Sequence, residues 1–209
     1  MVKEFISKYF NIYYQRTYSF FGEDRVLKRL LDKAGIKKGF YVDVGAYHPT
    51  RFSNTALLYK KGWRGLNIDA NSMKLFNVYR RRDWNYQGAV SNEISDRLFY
   101  KDKKYDGACS SLTDIDLDTI AKYVITRPLK YILEDHSITK IDVLNIDVEG
   151  HDYEVLLSHN WDIKPKFIMI ECRNDEVEEI FRDKCYTFLK DMGYKLRSIN
   201  LITLIWELK

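Results

Sequence analysis

Cysteine, proline and glycine are all scarce, at three, three and ten in 209 residues. Cys109, Cys172 and Cys185 are odd in number and form no CxxC pair. That excludes a disulfide scaffold and gives no support to a zinc site, so a reducing, cytoplasmic setting is the expectation. So little glycine and proline excludes collagen-like, linker-rich and low-complexity architectures. No apolar run approaches the ~18 residues of a membrane span. Neither sign of charge dominates: 34 Lys and Arg face 30 Asp and Glu, a net of +4. Such a weak excess does not imply nucleic acid. The longest basic run, Arg80 to Arg82, reads as a solvated helix end.

Aromatic residues, by contrast, are plentiful, with 16 Tyr and 11 Phe. A chain that is 45% hydrophobic and 31% charged is globular. At this length it buries on the order of 70% of its unfolded surface, as one domain. Residues 1–22 stand apart as an aromatic segment without the smooth apolar centre and small-residue cleavage site of a signal peptide. Phe5, Tyr9 and Tyr13 fall at helical spacing, which predicts an amphipathic helix docked on the domain. The alternative is a helix that meets a membrane surface or a partner, so peripheral membrane contact stays open.

From residue 23 to 209 strands and helices alternate. Helices are predicted over Glu23–Ala34, from Ser53 to about Gly62, Ser72–Arg82, Pro128–Asp135, from Glu149, and over Asp175–Met192 as one long element. Strands are predicted at Gly39–Val44, Trp63–Asp69, Tyr86–Val90, Ile141–Asp147 and Phe167–Glu171. Ser91–Thr126 is less regular, with a strand at Arg97–Tyr100. Tyr194–Ile199 and Leu201–Leu208 lie too close for a crossover and must form an antiparallel hairpin. The pattern predicts an α/β fold with a seven-stranded, mostly parallel sheet, helices on both faces and a C-terminal hairpin. That is the Rossmann-like layout of class I methyltransferases. Ligands in such sheets sit beyond the carboxyl ends of the strands.

Three strand ends carry chemistry. The first is Asp43-Val-Gly45-Ala46. A dinucleotide site would prefer G-x-G-x-x-G, and here a carboxylate precedes a single glycine. That suits a ligand bearing an ammonium group, such as S-adenosylmethionine, better than a pyrophosphate. The second is Asp69, placed to accept both ribose hydroxyls of an adenosine, with Ala89 and Val90 ending the next strand where an adenine edge would lie. The third is Asp147-Val-Glu149-Gly-His151-Asp152. Helix capping needs only one such group. The cluster therefore reads as a catalytic site, with His151 as the best type of general base and neighbouring carboxylates raising its pKa. Asp147 and Glu149 could alternatively hold a divalent ion, Mg²⁺ or Mn²⁺, that acidifies the acceptor hydroxyl, with Glu171 joining either arrangement. His48 is expected to face the same cleft.

Tyr41-Val-Asp-Val-Gly-Ala, Ser53-Asn-Thr, Gly62-Trp-Arg-Gly-Leu-Asn-Ile-Asp-Ala-Asn, Ala89-Val-Ser and Ile141-Asp-Val-Leu-Asn-Ile-Asp-Val-Glu-Gly-His, in that order, resemble the FkbM-type methyltransferase family. The resemblance spans about Ser19 to Glu171. It implies one such domain over residues 23–209, S-adenosylmethionine as cofactor, and O-methylation of a sugar, glycan or related natural product. By the same resemblance Asp43, Gly45 and Ala46 lie on the cofactor's methionine and ribose side, and Ser53, Asn54 and Thr55 line the same pocket. Asp69 resembles the ribose acid, with Ala70 and Asn71 beside the adenine. Ser19 to Asp24, containing Glu23, resembles a segment that closes over the cofactor, although Phe20 stands where the family has Gln. Gly107 to Leu112 resembles a small-residue loop near the acceptor.

The expected activity is in-line transfer of a methyl group to a small-molecule or glycan hydroxyl, with general-base or metal assistance. Nucleic acid is not expected as a partner. The alternatives are a non-catalytic relative and a methyltransferase of other specificity, such as one acting on nucleic acid.

Overall fold

Tyr41, Val143, Phe167, Met169 and Ile205 are buried in one cluster, while their strand neighbours Val42, Leu144, Ile168, Ile170 and Leu204 are buried in another. Alternate residues of one sheet thus feed two separate cores, as the two-residue period of a strand requires. In the computed structural model, residues 15–114, 118–173 and 176–209 are described. The stripe of Phe5, Tyr9 and Tyr13 lies outside them, as does most of the 1–22 segment.

The elements run α1 Glu23–Lys33, β1 Phe40–Val44, α2 Ala56–Lys60, β2 Arg64–Asp69, α3 Lys74–Tyr79, β3 Trp84–Gln87, β4 Ala89–Val90, β5 Asp96–Asp102, β6 Thr119–Arg127, α4 Leu129–Asp135, β7 Val143–Ile146, α5 Asp152–Leu157, β8 Phe167–Glu171, α6 Val177–Ile180, α7 Lys184–Asp191, β9 Tyr194–Asn200 and β10 Thr203–Leu208. The main sheet has seven strands in the order β3-β2-β1-β7-β8-β10-β9. β1 pairs in parallel with β2 and β7, and β10 runs antiparallel to β8 and β9. The chain leaves β1 toward β3 and returns to β7 on β1's other side. The topological switch point therefore lies between β1 and β7, and the ends of these two strands should hold a ligand.

Leu27 and Leu31 of α1 and Leu58 of α2 pack in the cluster of Tyr41 and Val143. Leu129, Ile132 and Leu133 of α4, Val155 and Leu156 of α5 and Leu189 of α7 pack in the cluster of Val42 and Leu144.

Four expectations change. The long helix over Asp175–Met192 is two pieces, because Asp183 takes an extended conformation (φ −63°, ψ 144°) and its side chain accepts from the amides of Cys185 and Tyr186. A cap residue in mid-pattern offers the backbone an alternative to continuing the helix. The strand expected over Tyr86–Val90 divides, with Ala89 and Val90 moving to a three-stranded sheet of order β4-β6-β5. The irregular stretch holds the hairpin of β5 and β6, paired from Asp96–Ile125 to Asp102–Thr119. β6 is mostly exposed along its length, so it shows little burial alternation to read.

The fourth change is the basic run. Arg80 is only 1% exposed. Its backbone leaves the helix (φ −123°, ψ 44°) and ends α3 at Tyr79. Its guanidinium donates to the Pro49 carbonyl, Tyr41 hydroxyl, Thr55 Oγ1, Asn67 Oδ1 and Ser53 Oγ. It also lies 3.9 Å from the Asp43 carboxylate. A buried cation is tolerable because its donors are satisfied by fixed acceptors.

Candidate active site

Beyond β1 the chain turns at Gly45, whose φ of 80° is left-handed. A Cβ at this position would overlap the carbonyl oxygen of Asp147, so only glycine lets the ends of β1 and β7 approach this closely. Tyr47 (φ 51°) and Glu149 (φ 60°) are also left-handed, an uncommon state for residues with a Cβ. Glu149 and Gly150 (φ 91°) cannot continue a helix, so α5 starts at Asp152 rather than at Glu149.

Two adjoining cavities open at this switch point. The first runs from Asp69, Ala70 and Asn71 beyond β2, past Ala89, Val90 and Phe99, to His151. The second is lined by Phe20 and Phe52, Glu23, Asn54, Tyr105, Cys109, Glu171, Arg173 and Thr203. Gly45, Tyr47, Ala108, Asp147 and Glu149 line both.

Of the cofactor residues expected from sequence, Gly45, Asp69, Ala70, Ala89 and Val90 line the first cavity, and Glu23 and Asn54 the second. Asp69 accepts the amides of Tyr47 and Asn71, each at 2.7 Å. Each oxygen keeps a free lone-pair direction for a ligand hydroxyl. Burial raises its pKa.

Asp43, Ala46, Ser53 and Thr55 line neither cavity. Asp43 is 2% exposed, bonded by the Thr55 hydroxyl and the Asn145 amide, and paired with Arg80. The carboxylate expected to meet an ammonium is thus turned inward onto a guanidinium. Ser53 and Thr55 hydroxyls serve the same Arg80. Ala46 packs with Met73 and Phe76. His48 faces neither cavity either, and its Nδ1 accepts the amides of Thr50 and Arg51.

His151 is 5% exposed. Its Nε2 lies 3.0 Å from Ser91 Oγ and its Nδ1 3.7 Å from Glu154 Oε2. The expected rise in its pKa is not what its surroundings give: burial lowers it, against a partial rise from Glu154. It borders the first cavity beside Ala89 and Val90, and not the second.

The carboxylates are where charge concentrates. Asp147, Glu149 and Glu171 each offer an oxygen within 4.8 Å of the others. Arg173 binds Glu149 through Nη2 and Glu171 through Nε at 2.7 Å. Glu171 Oε2 is buried without a hydrogen-bond partner. Burial and the neighbouring acids push Asp147 well above the usual carboxylate range. Burial, then the charge of Glu171, raises Glu149 to about 8 in spite of Arg173. Asp152 accepts the amides of Val148 and Gly150 and is raised to about 7 by burial and Glu171. Arg173 was missed from sequence. Its place just past β8, at a carboxyl strand end, is the signal that marks it.

Raised carboxylate pKa values make the fold bind more protons than the unfolded chain. Stability is then highest below the unfolded carboxylate pKa of about 4 and falls as pH rises through about 7 to 8. The melting temperature should decline from about pH 5 to about pH 8, and less steeply in Glu149→Gln. An equal decline in both proteins would remove Glu149 as a cause.

The loop between β5 and β6 closes the wall. Asp102, 1% exposed, accepts the amides of Lys104, Tyr105 and Gly107. Ser111 Oγ donates to the Glu149 carbonyl at 2.6 Å.

No curated protein matches the chain. A family model described as the methyltransferase FkbM domain matches residues 43–196. That interval holds both strand ends at the switch point and most of each cavity's wall, and it makes this chain a methyltransferase belonging to the FkbM domain family.

Proposed function

We propose that the chain is an S-adenosylmethionine-dependent O-methyltransferase of one domain over residues 23–209, with helices on both faces of its sheet. The observation that carries this reading is the meeting of two cavities over Gly45, Tyr47, Asp147 and Glu149. Methyl transfer is an in-line displacement between a donor and an acceptor held on either side of one point. The first cavity takes the adenosine: Asp69 accepts the ribose hydroxyls, and Ala70, Ala89, Val90 and His151 flank the base. The sulfonium sits over Gly45, with Glu23 and Asn54 beside the methionine end.

The acceptor hydroxyl enters the second cavity against Asp147 and Glu149. Exposed Phe20 meets Phe52 edge-on with ring centroids 4.9 Å apart, and such faces pack against a sugar ring or a comparable natural product. The base is a carboxylate at the border of the cavities, with His151 on the cofactor side. Once ionised, a carboxylate of raised pKa is the stronger proton acceptor. The three-carboxylate group supports a second reading, in which Mg²⁺ or Mn²⁺ acidifies the hydroxyl. Arg173 favours the first, because it already places a cation against two of the three acids.

Thermal melting with S-adenosylhomocysteine, S-adenosylmethionine and NAD in parallel tests the cofactor. A ligand at 100 times its Kd adds about 2.7 kcal/mol, several degrees for a domain of this size. The two adenosyl-sulfur compounds should raise the melting temperature, NAD should not, and Asp69→Ala should lose the shift. No shift in the unaltered protein overturns the cofactor assignment.

A further inference from the structure

The registers that align β1, β2 and β3 also align their amino ends. Phe40 lies opposite Arg64 and Leu66 opposite Trp84. Lys37 and Lys38, Lys60, Lys61 and Arg64, and Arg81 and Arg82 therefore gather where three adjacent strands begin, with strands ~4.8 Å apart. All seven are exposed. Among the described residues none of them makes an ion pair with an acid. The nearby acids are engaged elsewhere: Asp83 turns inward to the Gly65 amide, Asn67 and the Tyr41 hydroxyl, Asp142 accepts the Phe40 amide and pairs with Lys140, and Asp32 pairs with Lys28. A net charge of +4 hides this concentration, because the carboxylate cluster lies at the opposite end of the sheet, beyond β7 and β8.

Beside the cations is an apolar rim. Leu75, Val78 and Tyr79 share the outer side of α3 and are 48%, 67% and 58% exposed. Trp84, just past Arg82, is 45% exposed on the other face of the sheet, where it packs against Phe40 and His136. The inner side of that helix is served by Phe76 alone. We infer that this face docks on an anionic lipid bilayer, with the cations over the headgroups and Val78, Tyr79 and Trp84 in the interfacial layer. Basic clusters beside Trp, Tyr and aliphatic side chains match that layer in both charge and polarity. A nucleic acid would use the cations but gain nothing from Leu75 and Val78. Docked so, the protein turns its two cavities away from the lipid, roughly 20 Å above it by the length of a six-residue strand. The inference does not depend on the chemistry proposed for those cavities.

Co-sedimentation of the full chain with vesicles tests it, using phosphatidylcholine alone or with phosphatidylserine added. Binding is expected only with phosphatidylserine, and should weaken as salt rises. Lys37→Glu, Lys61→Glu and Arg81→Glu together should weaken it by about 100-fold or more, with the melting temperature unchanged. Trp84 emission should shift to the blue on anionic vesicles, and the shift should vanish in Trp84→Phe. Val78→Ser should weaken vesicle binding and leave any binding to duplex DNA alone. Three outcomes overturn the inference: no binding to anionic vesicles, binding that survives the triple reversal, and a Val78→Ser variant that binds vesicles as before.

Discussion

Asp147→Asn should lower kcat by about 10²–10⁴-fold while cofactor affinity stays within a few-fold. Asp147 follows β7 on the wall common to both cavities, and burial with three acidic neighbours makes its carboxyl, once ionised, a strong proton acceptor. The amide keeps the shape and removes the site for the proton. His151→Ala should act differently, weakening cofactor binding with a smaller effect on kcat, since the ring lies on the first cavity only. Single-turnover rates and cofactor titrations separate the two effects. The Arg173-neutralised arrangement also predicts full activity in EDTA. A near-normal kcat in Asp147→Asn would move the base to Glu149, and loss of activity in EDTA restored by Mg²⁺ would decide for the ion.

The largest stability loss is expected at Arg80. Arg80→Met keeps an unbranched stem but strips the donors from Pro49, Ser53, Thr55 and Asn67, and leaves Asp43 buried without its cation. Breaking a buried pair from one side costs about 3–5 kcal/mol. For a domain of this size that is a fall of roughly 10 °C or more in melting temperature. Asp43→Asn in the same chain should recover part of the loss, because the stranded charge is then gone. A loss below about 1 kcal/mol, or no recovery in the double variant, would show that Asp43 is not held by Arg80.

Arg80 also shows where the sequence could be read and where it could not. The strands of the main sheet and the C-terminal hairpin were legible because buried parallel strands are short unbroken apolar runs, and the residues beyond β1, β2 and β7 were legible because ligands gather at such ends. Asp69, Ala89, Asp147 and Glu149 all fall at the cavities by that rule. A run of three arginines, however, is solvated far more often than caged, and nothing local tells Arg80 from Arg81. Its acceptors come from Pro49, Ser53, Thr55 and Asn67, which only the fold brings together. The same holds for Asp43, whose place before the turn glycine suggests a ligand contact while its side chain points into that cage. The break at Asp183 and the strand β6 were hidden for local reasons: one polar residue interrupts a helical pattern, and an exposed strand leaves little burial pattern.

The knot around Asp102 has a consequence for how this protein can change. Tyr105, Ala108 and Cys109 stand on a loop whose entrance is tied by one buried carboxylate to three backbone amides, and whose flanks are strands of the smaller sheet. Side chains along that loop can be exchanged without touching a hydrogen bond of the seven-stranded sheet. Directed evolution aimed at new acceptors can therefore randomise positions 105, 108 and 109 while holding Asp102 fixed, and should return folded variants at nearly every draw. The same mutagenic load spread over the β1 and β7 ends would meet the glycine-to-carbonyl contact at Gly45 and lose most of its library to misfolding.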